Sequence, residues 1–448
     1  MPWVVLRHLA HLGALFVAPV SCGMAIEIAY FASGCASWEP CDDGSPDQQL
    51  HQVAIGEDGS LTHLTERTVG LASRVRWLTA AEVQGSTCVF ASMHNGYIYG
   101  YRLTDDGSVD ESADTKTAFV GFPHYSTLTT DTNFLITAER DMDEIESTNA
   151  FAIAKVGPSC ALTSVSKVPV PGPLSGDGVA VATGALPIED GYVFFTHSGY
   201  TSALTLYQYS LPDGVFTRQL GQQWQVACFI GPGSVVKHPT LPVVYVDCAR
   251  WVLPEDFRAR VRAYRIAANR SLEHMGDIDP TEGVTDLEKV AYDYGGTFVV
   301  SPNGKHAFRL NLFLNEDAEA ESGYVVGPGI SLVVFNVGDD GTLMIKEVLT
   351  IDGVAAWNEH ISLTLAHGGK VLLLQDVFTA AVLSFTVAED GTLTEAARLE
   401  DAVPLARNIL VRGFASTTEE PSSTTTTGRK CVLIPKHKAV KMSAVPCA

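Results

Sequence analysis

Seven polar residues stand where short apolar strands begin or turn: His124, Asp177, Lys237, His238, Lys289, His360 and Arg407. Their types suit acid–base work on an anionic substrate. A histidine titrates near neutral pH and can carry a proton at working pH, whereas an arginine can grip a carboxylate with two parallel hydrogen bonds. By type His360 can carry a proton and Arg407 can grip an anion, and these two lead the candidates. His124 and Asp177 complete the candidate catalytic set. His238 precedes Pro239 and reads foremost as a turn residue.

Other chemistry finds no foothold. There is no Gly-x-Ser-x-Gly elbow, no His-Glu-x-x-His, no Walker loop and no GxGxxG after a strand, so no cofactor is expected. Two acidic runs, Asp141, Asp143, Glu144 and Glu146, then Glu316, Asp317, Glu319 and Glu321, are oxygen-rich enough for calcium. Without an Asp-x-Asn-x-Asp-Gly loop they read as solvated surface, and no metal is expected. Fifty-one acidic against 30 basic residues give a net charge of -21, which opposes nucleic-acid and anionic-membrane binding.

The elements that must position these side chains are strands. Six turns carry Asp-Gly or a close substitute: Asp58-Gly59, Asp106-Gly107, Asp213-Gly214, Asn269-Arg270, Asp340-Gly341 and Asp390-Gly391. A degenerate seventh lies near Gly157 to Leu162. Most follow an alternating strand with an aromatic, namely Tyr101, Phe151, Tyr207, Tyr264, Phe335 or Phe385, which is a hairpin signature. From Gly59 to Gly391 the spacing averages about 55 residues, the size of a four-stranded propeller blade. A second turn recurs before the next strands, at His238-Pro239-Thr240, Ser301-Pro302-Asn303-Gly304-Lys305 and His367-Gly368-Gly369-Lys370. Helical periodicity is nearly absent.

These signals predict an all-β chain: a seven-bladed β-propeller of four-stranded blades over residues 26–413. Its ring is closed by the N- and C-terminal strands, Ile26 to Ser33 and Ala406 to Arg412, in one blade. Such closure removes open sheet edges. Three loops on the face where inner strands begin are long: Arg140 to Asn149, Arg250 to Arg260 and Phe313 to Gly329.

Flanking segments carry separate messages. Residues 1–25 hold Arg7, a run from Leu9 to Ala25 without Lys, Arg, Asp or Glu, and a small-residue end, and they read as a secretory signal peptide. A signal anchor is the alternative, with the protein membrane-attached through that segment. No other segment is apolar enough to span a bilayer. Without Cys22 an even eight cysteines remain, which fits an oxidising destination. Cys35 can pair with Cys41 and Cys431 with Cys447, but spacing leaves connectivity open. Residues 414–448 are Ser/Thr-rich and then basic, and read as a disordered tail. Asn269-Arg270-Ser271 is a glycosylation sequon.

The Ser-Pro-Asn-Gly-Lys turn, the Asp-Gly-Thr-Leu turns and the blade rhythm resemble the lactonase-type seven-bladed propellers. That family includes 6-phosphogluconolactonases and fungal 3-carboxy-cis,cis-muconate lactonising enzymes. The resemblance spans about Ile26 to Gly413 and is closest from Val299 to Leu399. It implies a small-molecule carboxylate or lactone ligand and cofactor-free lactone hydrolysis or lactonising cyclisation. The family's polar positions are thinly kept: its Pro-Arg-His stretch matches Pro232-Gly233-Ser234, its glutamate Ala249, and its arginine Leu312 beside a retained Asn311. A fourth-blade histidine of the muconate enzymes matches Asp177, and their last-blade histidine matches His360. A non-catalytic ligand- or protein-binding propeller is therefore the alternative function.

Overall fold

The computed structural model describes residues 26–33, 48–71, 73, 75–83, 85–118, 122–140, 149–170, 181–189, 191–198, 202–226, 235–248, 260–282, 292–293, 297–314, 326–351, 362–376, 380–402 and 409–414. Among them the chain forms seven antiparallel sheets and no α-helix. Blade 1 stacks Ile409–Phe414, Ile26–Ala32, Gln49–Ile55 and Leu61–His63 from the centre outward, with Val69–Gly70 also pairing to Gln49–Ile55. Blade 2 runs Val75–Val83, Ser86–Met93, Tyr97–Leu103 and Val109–Ala118. Blades 3 to 7 repeat this order from Phe122–Leu128, Val181–Glu189, Val235–Lys237, Phe298–Val300 and Ser362–Ala366 as inner strands. The inner strands neighbour one another in sequence, and Ile409–Phe414 touches both Ser362–Ala366 and Val75–Val83, so the ring closes.

Closure is by terminal strands, as the sequence implies. Ile26 pairs with Phe414 and Phe31 with Ile409 in an antiparallel register. The C-terminal partner begins at Ile409 among the described residues, since 403–408 lie outside them.

Each blade's outer hairpin turns where the Asp-Gly signal falls. One backbone bond per blade closes it: Gly56 N–H to Ser60, Thr104 to Ser108, Gly157 to Ala161, Ser210 to Val215, Ala267 to Ser271, Gly338 to Thr342 and Ala388 to Thr392. The aspartate carboxylate caps the turn by accepting the amide two residues on, as at Ser60, Ser108, Thr342 and Thr392. At Asp390 the Thr392 amide, then the Lys346 ammonium and the Thr392 hydroxyl, hold the carboxyl down to about 2. At Gly341 φ is +89°, and an added Cβ would lie 2.8 Å from Val243 of the preceding blade, so glycine is required there twice over.

The core is distributed between blades. Seven apolar clusters fill the seven blade–blade seams, for example Phe134, Phe151, Phe195 and Tyr207 between blades 3 and 4. Phe151 and Phe195 stack there at 3.9 Å. Second strands such as Val243–Cys248 are buried on both faces: Val243 and Tyr245 pack toward blade 6, and Val244 and Val246 toward blade 4. That explains why they read as continuous apolar runs rather than alternating ones. Truncating one of the stacked phenylalanines to alanine is expected to cost about 3–5 kcal/mol.

Covalent ties add to packing. Cys88 on the second strand of blade 2 is disulfide-bonded to buried Cys160 in the turn of blade 3. Cys248 is disulfide-bonded as well. Cys35, Cys41, Cys431 and Cys447 lie outside the described residues, as do the segments 1–25 and 415–448. No helix among the described residues is long and apolar enough to cross a membrane.

Candidate functional site

Inner strands enter the ring from the end that also carries the connections from second to third strands, and this end is where the candidate residues were expected. His124 lies on the inner strand of blade 3, Phe122–Leu128. Opposite it the ladder slips: Ala138 faces Tyr125 and Glu139 faces Pro123, which leaves His124 as the extra residue of a β-bulge. Bulges interrupt the ladder locally and recur beside active sites. Asp177, His360 and Arg407 lie outside the described residues, as do Lys289 and the loops 141–148, 249–259 and 315–325.

Lys237 and His238 belong at the opposite end. The inner strand Val235–Lys237 begins at Val235, so Lys237 finishes it and His238 starts the turn to the second strand. The Lys237 ammonium donates to the Ile188 carbonyl at 2.7 Å. Nδ1 of His238 accepts the Thr240 and Leu241 amides while Nε2 contacts the Gly304 carbonyl at 3.0 Å, so this buried ring is a turn-former tying blade 5 to blade 6.

Below the loop-bearing end, the structure adds polar groups that sequence reasoning missed. Glu139 has a fully buried side chain and accepts a charge-assisted hydrogen bond from Lys167 on the outer strand of the same blade. Burial outweighs the lysine and pushes its carboxyl up to about 7, the range in which a carboxyl can give and take protons. Its Oε1 has no hydrogen-bond partner among the described residues. The visible signal was an acid one residue from the end of the apolar run Phe134-Leu135-Ile136-Thr137-Ala138.

Further buried polar groups lie on the second strands of other blades. Asp247 and Arg309, both fully buried, form an ion pair at 2.7 Å between the second strands of blades 5 and 6. Arg309 also donates to Asn311, which passes the network to the Pro280 carbonyl at 2.8 Å. Between blades 2 and 3, Ser92 donates to Ser126 at 3.1 Å. His197 meets Thr205 at 3.0 Å, and burial lowers its ring to about 4, so it is neutral at working pH. Chemically, this end offers a neutral imidazole, a carboxyl near neutrality and a fixed internal ion pair. No cluster of three or more metal-ligating side chains occurs among the described residues.

No family model matches the sequence, and neither does any curated protein. Solved structures do. A 6-phosphogluconolactonase candidate from Bacteroides fragilis superposes with a TM-score of 0.63 at 13% identity, covering 88% of this chain and 100% of the other. The periplasmic gluconolactonase of Pseudomonas aeruginosa matches with a TM-score of 0.62 at 16% identity, over 87% of this chain and 99% of its own. A 6-phosphogluconolactonase candidate from Bacteroides uniformis gives 0.62 at 13%, over 87% and 99%. In fold, the chain is similar to the lactonase-type seven-bladed propellers, along its whole ring.

Proposed function

We propose that this protein is an exported lactonase-type propeller that acts on a lactone or an unsaturated carboxylic acid by cofactor-free acid–base chemistry at the loop-bearing mouth of its channel. The observation that carries the reading is the superposition of the whole ring on the periplasmic gluconolactonase of Pseudomonas aeruginosa and the 6-phosphogluconolactonase candidate of Bacteroides fragilis, with essentially all of each neighbour covered. In this reading His360 moves the proton, Arg407 holds the substrate carboxylate, and His124 and Asp177 line the same opening. A retaining wall is supplied from beneath by the buried groups of the second strands, of which Glu139 is the one poised to exchange a proton. Residues 1–25 act as the export signal, and the Cys88–Cys160 bridge fits an oxidising destination.

A binding propeller without turnover is the second reading, favoured by Gly233, Ser234, Ala249 and Leu312 where the resembling family carries polar groups. Purified protein assayed against a panel of aldonolactones and muconates separates the two. Saturable turnover of one class supports the enzyme. Ligand-induced thermal stabilisation with no turnover of any panel member supports the binding propeller.

A further inference from the structure

The outer turn of blade 5 departs from its counterparts in a way that creates a chemical site. Blades 1, 2, 6 and 7 place Asp-Gly there, with the aspartate accepting the amide two residues on and the glycine in the left-handed region. Blade 5 keeps that geometry with Asn269-Arg270-Ser271. The Asn269 side-chain carbonyl accepts the Ser271 amide at 3.0 Å, and Arg270 adopts φ 66° although it is not glycine. Arg270 is held there by Glu189 of blade 4 and by the Tyr192 ring, 3.8 Å beneath its guanidinium. The substitution of both residues turns a carboxylate into an amide and yields the single Asn-x-Ser/Thr sequence of the chain.

We propose that Asn269 is an N-glycan acceptor whose first sugar rests in the groove beside the turn. Asn269 is exposed, and the Ser271 hydroxyl donates to its side-chain oxygen at 2.7 Å, a contact two residues apart that needs no tertiary structure to form. A groove of about 370 Å³ opens alongside, between Ile188 and Glu189 of blade 4 and Pro239, Leu241, Pro242 and Arg270 of blade 5. Its lining is mixed: Pro239, Leu241 and Pro242 suit the faces of an N-acetylhexosamine, and Glu189, Thr240 and Arg270 offer polar groups to its hydroxyls. The donor is an oligosaccharide on a lipid pyrophosphate. The Asn269 Nδ2–C1 bond forms and the C1–O bond to the pyrophosphate breaks. The lipid pyrophosphate leaves with the bonding electrons, and the amide gives one proton to the transferring enzyme. The turn lies at the end of the ring opposite the proposed active site, so a glycan there leaves the channel mouth clear.

The proposal rests on the export reading, and one experiment tells their failures apart. The full chain is expressed in a eukaryotic secretory host beside Asn269→Asp, which retains the carboxylate-capped turn of the other blades and so folds. The expected result is exported wild-type protein whose intact mass falls on treatment with an amidase specific for N-glycans, and exported Asn269→Asp with no such fall. Exported wild-type protein of unmodified mass overturns the acceptor assignment alone. Protein confined to the cytosol overturns the export reading and the acceptor together. Slower hydrogen exchange of the Thr240 and Leu241 amides in the glycosylated form than in Asn269→Asp is expected if the sugar sits in the groove, and equal exchange overturns that seating.

Discussion

The phenolic hydroxyl of Tyr245, on the second strand of blade 5, donates to the carbonyl of Gly341 in the outer turn of blade 6 at 2.7 Å. Tyr30 repeats the bond to Gly107 between blades 1 and 2 at 2.6 Å. Turn and neighbouring blade therefore specify each other: the turn must be tight to present its carbonyl, and the tyrosine must be long enough to reach it. Burial raises the Tyr245 phenol well above its ordinary value, which keeps the proton in place as a donor.

Removing that hydroxyl with Tyr245→Phe is expected to cost about 1–2 kcal/mol in urea denaturation, because a buried carbonyl loses its donor. Gly341→Ala should cost at least as much, since alanine must take φ +89° and press on Val243. A Gly341→Ala midpoint equal to wild type would refute the interlock.

Reduction of the Cys88–Cys160 bridge should be felt globally. It spans 72 residues and joins two blades, so the chain-entropy argument puts its loss at about 4 kcal/mol. A Cys88→Ser/Cys160→Ser protein with an unaltered unfolding midpoint would show that packing across the seam already holds these blades.

Two buried groups pull stability in opposite directions with pH. The Glu139 carboxyl, raised by burial to about 7, is protonated in the fold at pH values where the unfolded chain has already lost the proton. Its cost therefore grows as pH rises from about 4.5 through 7, to about 3 kcal/mol by pH 8. Glu139→Gln should relieve that loss at pH 8 and change little at pH 4.5.

His51 behaves in the reverse sense. Burial and neighbouring His63, 5.6 Å away, lower its ring to about 4. Neither ring nitrogen has a hydrogen-bond partner among the described residues. Above pH 6.5 the ring is neutral in both the folded and unfolded chain and adds no pH dependence, and stability drains as pH falls from there toward 4. His51→Leu should flatten the acid limb of a pH–stability curve measured by thermal unfolding, and an unchanged limb would contradict the assignment.

The ring was legible in the sequence because its determinants are local and repeated. Asp-Gly at Gly59, Gly107, Gly341 and Gly391 marks turns whose positive φ only glycine takes cheaply, and the buried aromatics Tyr101, Phe151 and Phe335 mark third strands. Even closure followed from counting strands, since Ile26–Ala32 lacked an inner partner until the C-terminal strand supplied one. The candidate site was less legible. Glu139 sits in an apolar strand and acquires its character from burial, only partly offset by Lys167, 28 residues away in sequence, and both are visible only after folding. Lys237 ends its three-residue inner strand just before the His238 turn, which sets it away from the end where the other candidates begin their strands. Cys88 and Cys160 are joined by adjacent blades rather than by spacing, so no count of residues between them reveals the bond.

Acid–base catalysis at the channel mouth is tested most directly by kcat/KM of His360→Ala on the lactone or muconate that the purified protein turns over. A fall of about 100-fold or more is expected, the contribution of a directly acting proton carrier. A His360→Ala enzyme as active as wild type, or a wild-type protein that turns over no member of either substrate class, would contradict it.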